Sequence, residues 1–120
     1  MARILIADVD KNVGRFLKSE LEGIGYVVNF VRQGTKMTVD SMVDMACDAL
    51  LLNMQMPCLD YFNRLKGIKR RNPSTHIIVF MNDSELQERA ALLEAGATVC
   101  FARYEISLLI MYLRRIDVRT

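Results

Sequence analysis

Asp48-Ala-Leu-Leu-Leu-Asn53-Met-Gln-Met-Pro57-Cys-Leu-Asp60 lies at the middle of the chain and is its most informative segment. Its apolar run is too short for a helix and lies mid-chain, which predicts a strand buried on both faces; it ends on one polar residue followed by an X-Pro bend. Open α/β sheets bind and react at the carboxyl ends of their strands. Asn53 emerges at that end and is therefore the first residue to question for chemistry. It carries an amide, not an acid.

Upstream of this strand, Arg3 to Ala7 is a second short apolar run, opening into the loop residues Asp8-Val9-Asp10. Val13, Phe16, Leu17, Leu21 and Ile24 then fall on one helical face, with Gly23 and Gly25 available to stop the helix. Tyr26 to Val31 is β-branched and aromatic and predicts a strand. From Gly34 a further helical pattern carries Val39, Met42, Val43 and Ala46. Downstream, Phe62, Leu65 and Ile68 give a helix a buried stripe, ended by Asn72-Pro73, and His76 to Met81 is a fourth strand. Ser84 and Gln87 fit a capping box ahead of Leu86, Ala90 and Leu93, with Gly96 at the C-cap position. Thr98 to Ala102 reads as the fifth strand, and the last helix would bury Ile106, Leu109, Ile110, Leu113 and Ile116.

Strands and helices in strict alternation predict right-handed crossovers and a parallel sheet covered on both faces. The expected architecture is α/β, a flavodoxin-like (βα)5 domain over residues 1–120, with strand order 2-1-3-4-5. That order brings the loops after Ala7 and Leu52 together, so Asp8, Asp10 and Asn53 would share one pocket.

Composition limits the function. With 52% hydrophobic and 25% charged residues, 120 residues suffice for one packed core. A net charge of +2 is too mild to imply nucleic acid, and the clusters Lys69-Arg70-Arg71 and Arg114-Arg115 suit helix C-termini. The three cysteines, Cys47, Cys58 and Cys100, have neither metal-ligand nor CxxC spacing and suit a reducing, cytoplasmic setting. No apolar run reaches the roughly 18 residues of a membrane span, so neither membrane nor export is expected.

On Leu51 to Asp60 together with Arg3 to Asp10, His76 to Asn82 and Gly96 to Arg103, the chain resembles the receiver domain of two-component response regulators. The resemblance covers essentially the whole sequence and implies a phosphoryl-accepting pocket at the strand ends. It also locates where this chain departs from the pattern. Val9 stands where the second acid of the pair after strand one is expected, and Asn53 stands at the phospho-acceptor position. Met81 falls at the Thr/Ser place, Arg103 at the Lys place and Cys100 at the switch aromatic, while Tyr61 replaces a Gly and the Pro after the Lys is missing. Such losses beside an intact apolar pattern point to a degenerate receiver, a pseudo-receiver.

The chemistry of the residues agrees. An amide oxygen is neutral and weakly nucleophilic, so Asn53 cannot form an acyl phosphate. Mg²⁺ wants hard, anionic oxygens, whereas Asp8 against Arg103 leaves about zero net charge, or about −1 with Asp10 turned inward. No metal or other cofactor and no catalytic residue is expected. Arg103 would instead fork onto Asp8 beside Asn53. Asp10 reads more readily as a helix N-cap than as a metal ligand, His76 as structural, Met54 and Met56 as loop packing, and Cys100 as a small core side chain.

A second apolar set on the last helix, Leu108, Met111 and Tyr112, with Leu92 extending it, marks a candidate surface for a signalling partner or a homodimer. The expected function is therefore a phosphorylation-independent signalling module working by protein contacts. Two alternatives stay open: a phosphorelay receiver using Asp8 or Asp10 as acceptor, and a module binding a small ligand near Arg103.

Overall fold

The computed structural model describes residues 3–7, 11–31, 47–53, 61–81 and 88–115. Five parallel strands form one sheet in the order β2-β1-β3-β4-β5: β1 (Arg3–Ala7), β2 (Val27–Val31), β3 (Ala49–Asn53), β4 (His76–Met81) and β5 (Val99–Ala102). Helices α1 (Lys11–Gly23), α2 (Tyr61–Arg71), α3 (Arg89–Ala95) and α4 (Ile106–Arg115) accompany them, and a 3₁₀ turn (Arg103–Glu105) leads from β5 into α4. The strand order and class are those expected from the alternation of elements. The helix expected after Gly34 and the capping box at Ser84 and Gln87 lie outside the described residues.

Register explains how a continuous apolar strand serves two cores. Leu5, Leu50 and Ile77 pair across β1, β3 and β4, as do Ile6, Leu51 and Ile78 one step on. Successive side chains point to opposite faces. Leu5, Ala7, Leu50, Leu52, Ile77, Val79 and Met81 therefore meet Leu65 and Ile68 of α2 and Leu92 and Ala95 of α3. Ile4, Ile6, Leu51, Ile78 and Phe80 meet Leu17 and Leu21 of α1 and Leu109, Ile110 and Leu113 of α4. Burying one such aliphatic side chain contributes about 1.5–3 kcal/mol, so the central strands carry much of the stability.

The amino edge of the sheet is pinned by the residue that opens the quoted stretch. The Asp48 carboxylate accepts the Arg3 N–H at 2.7 Å, its own N–H donates to the Arg3 carbonyl, and its carbonyl accepts the His76 N–H at 3.0 Å. Asp48 thus sets three strands level, a structural role. The Tyr26 hydroxyl donates to the Leu113 carbonyl and ties the end of α4 to the start of β2.

Three helix faces differ from the apolar pattern. On α1 the buried positions are Gly14, Leu17 and Leu21, while Phe16 is exposed. Gly14 is invisible to a count of apolar residues: its missing side chain makes room for the Phe30 ring, which a Cβ there would strike. On α3 Leu92 is fully buried and Leu93 is 43% exposed, so Leu92 is a core residue and not part of a partner surface. The expected stripe through Ala90 and Leu93 is out of phase because Ala90-Ala91-Leu92-Leu93 contains no polar residue to set it. The phase is set on packing, where the helix end is held close to α2: Gly96 at φ +125° lets Gly96 and Ala97 donate to the Leu93 and Leu92 carbonyls, and a Cβ at Gly96 would sit 3.0 Å from Lys69 Cβ on α2. On α4 Tyr112 is half-buried, its ring 5.8 Å from that of Phe101 on β5. Tyr112 therefore packs on the sheet instead of standing free on the surface.

The phase of α3 predicts unequal effects from neighbouring leucines. Leu92→Ala is expected to cost about 2–5 kcal/mol, whereas Leu93→Ala stays within about 0.5 kcal/mol. Urea unfolding midpoints measure both; equal losses would place Leu93 in the core.

Candidate functional site

The carboxyl ends of four strands form one edge. Ala7 pairs with Leu52, Asn53 with Phe80, and Met81 with Ala102, so β1, β3, β4 and β5 finish within a residue or two of one another. Asn53 is the last residue of β3, Met81 the last of β4, and Arg103 the first beyond β5. The topology thus brings together three of the positions singled out in the sequence. Asp8, Val9 and Asp10 lie outside the described residues, and so does the expected ion pair between Asp8 and Arg103.

Among the described residues this edge is poor in reactive groups. Asn53 supplies an amide at the end of the central strand. Met81 is fully buried among Val79, Cys100 and their neighbours, so the end of β4 presents a thioether to the core and no hydroxyl. Arg103 is half-buried on the 3₁₀ turn.

Cys100 belongs to the same core and is 6% exposed. Burial pushes its thiol up to about 11, while the Arg89 guanidinium acts in the opposite direction. Cys47 lies at the amino edge, where its Sγ donates to the Ala49 carbonyl, and burial likewise pushes its thiol up to about 11. Neither is poised as a nucleophile at neutral pH.

Two residues with no role in the sequence reading stand out beside this edge. Glu105 Oε1 accepts from the Ala102 N–H at 2.9 Å and from Arg89 Nη2 at 3.0 Å. The sequence holds half of this signal, since a Glu three residues after a helix-flanking position can reach back to its N–H. The other half, Arg89, comes from a different helix and could be found only in three dimensions.

The last helix exposes apolar surface. Leu108 and Met111 are 49% and 45% exposed, and Tyr104 on the preceding turn stands open as well. Among the described residues no helix is long and apolar enough to cross a membrane.

Comparison with known proteins identifies the family and the fold. Residues 4–104 match the family model of the response regulator receiver domain. The response regulator MprA of Mycobacterium avium and that of Mycobacterium tuberculosis are each 32% identical over 95 residues, 79% of this chain and 41% of the relative. The chain therefore spans about two-fifths of the length of these curated relatives. The receiver domain of a DNA-binding response regulator from Colwellia psychrerythraea superposes with a TM-score of 0.80, covering 96% of this chain and 97% of its own at 18% identity. The chemotaxis protein CheY4 of Vibrio cholerae does so with a TM-score of 0.76, covering 97% and 99% at 19% identity. At these identities the two structures show the shared fold.

The thiols provide a direct check. At pH 8.5, Cys47 and Cys100 should hold about a hundredfold less thiolate than in the urea-unfolded chain, and iodoacetamide labelling read by peptide mass spectrometry should slow at least as much. The sign for stability follows. The folded chain keeps protons that the unfolded chain loses from about pH 9, so this contribution is complete below pH 9 and is lost as pH rises towards about 11. Native labelling of Cys100 at the unfolded rate would contradict its place in the core.

Proposed function

The chain belongs to the response regulator receiver domain family, and from that premise we propose that it is a pseudo-receiver, a signalling module that acts through protein contacts without a phosphoryl cycle. One observation carries this reading: the residue that ends β3, at the centre of the sheet's carboxyl edge, is Asn53. An amide has no anionic oxygen with which to attack a phosphorus centre, and its product would not be the acyl phosphate that such a cycle hydrolyses. The buried Met81 beside it offers no hydroxyl to follow a phosphoryl oxygen.

The same donors argue against a working Mg²⁺ site. An amide, a thioether and a guanidinium do not suit a hard cation that needs several anionic oxygens. The carboxylates of Asp8 and Asp10, outside the described residues, would have to supply all of that charge. In this reading the module is not an enzyme, needs no cofactor and works in the cytoplasm. Its output is the exposed apolar surface of α4, where Leu108 and Met111 would meet a signalling protein or a second copy of the chain. A protein of the same fold, the beryllofluoride-activated NtrC4 receiver domain, forms a dimer in solution.

Incubation with acetyl phosphate and Mg²⁺, followed by intact-mass measurement, should give no phosphoryl adduct on the native chain. Amide NMR spectra should likewise show no Mg²⁺-dependent shifts at Asn53 with beryllofluoride. An adduct mapped to Asp8 or Asp10 would instead support a receiver with an unusual acceptor.

The contact surface is tested separately. Met111→Glu should lower self-association in sedimentation, or partner capture in pull-downs, by about tenfold or more while the unfolding midpoint stays within about 0.5 kcal/mol of the parent. Unchanged association would remove the α4 face from consideration.

A further inference from the structure

Glu105 makes two contacts that belong to different parts of the molecule. Its carboxylate receives the Ala102 N–H, which fixes the turn leaving β5, and the guanidinium of Arg89, the first residue of α3. The chain from β5 runs without interruption through the 3₁₀ turn into α4, so whatever holds Glu105 also sets where α4 starts. Arg89 is well suited to the other side of such a contact. Its Nε is buried with no hydrogen-bond partner among the described residues, and its charge reaches the buried thiol of Cys100 on β5. A guanidinium partly withdrawn from water is costly unless a carboxylate meets it. With the two side chains 40% and 20% exposed, the pair is only partly screened by solvent.

Elsewhere the two helices lie in separate cores. Leu92 and Ala95 of α3 pack on one face of the sheet, and Leu109, Ile110 and Leu113 of α4 pack on the other. Both helices pack against β5 through these separate cores, with Ile106 at the start of α4 held in the second one, and the Arg89–Glu105 contact joins α3 directly to the turn that leads into α4.

We propose that the Arg89–Glu105 pair is an electrostatic latch that locks α3 to the β5–α4 turn and thereby fixes one presentation of the face bearing Tyr104, Leu108 and Met111. Opening the latch frees the turn and the first turn of α4 while the sheet stays intact. This device operates whether or not Asn53 accepts a phosphoryl group, and its test uses neither a phosphodonor nor a partner.

Hydrogen exchange on the full chain reads the latch directly. Arg89→Met and Glu105→Gln should each raise exchange about fivefold over residues 89–95 and 102–108, with β1 and β3 amides unchanged. The double variant should be no faster than the faster single variant, because only one interaction is lost. The Glu105→Gln side chain retains a carbonyl oxygen for the Ala102 N–H, so this variant isolates the charge from the cap. Raising salt from low to about 1 M should reproduce part of the effect in the parent and none in the double variant. Additive effects of the two substitutions, or exchange that rises equally across the central strands, would overturn the latch. So would parent-like exchange in both single variants.

Discussion

Every other feature depends on the burial of a parallel sheet on both of its faces. A strand such as Ala49 to Asn53 can be apolar throughout only if helices cover each side, and register then decides which side chain meets which helix. Leu50 and Leu52 pack towards α2 and α3, whereas Ala49 and Leu51 pack towards α1 and α4. In the central strands β1, β3 and β4 polar residues stand only at the strand ends. The amino edge is closed by Asp48 and Thr75, whose hydrogen bonds to Arg3, His76 and Cys47 satisfy the backbone there. The carboxyl edge is where chemistry would be placed.

At that edge the described residues offer packing groups more than reactive ones. Its described members are an amide, a buried thioether and a guanidinium on a turn, and the nearby thiol of Cys100 is held protonated by burial. A polar interaction beside this edge, Glu105 with Arg89 and the Ala102 N–H, ties neighbouring elements together. The fold is that of a receiver domain, and α4 carries exposed apolar side chains.

Much of this is legible in the residues. Strand limits at Arg3–Ala7 and His76–Met81, the end of α2 before Asn72-Pro73 and the cap at Gly96 all match local signals that act within a few residues. Sequence patterns mislead where they are degenerate. A helix with apolar residues on several sides, such as Ala90 to Leu93, has no preferred inner face until it is packed, so the pattern exchanges Leu92 and Leu93. Gly14 carries no hydrophobic signal, and its burial follows from the approach of Phe30, 16 positions along the chain. Tyr112 reads as a surface residue because nothing local reveals Phe101 beside it.

The α/β class, the order of elements and the residue types at the strand ends follow from the residues alone, because alternation, capping and side-chain chemistry are local properties. The amide at position 53 is an amide in any fold. Which faces of α1, α3 and α4 are buried, and that Glu105 reaches Arg89 across 16 residues, emerge once the elements pack together. Those outcomes depend on the register of paired strands and the approach of one element to another, and both are set by contacts between residues distant in sequence.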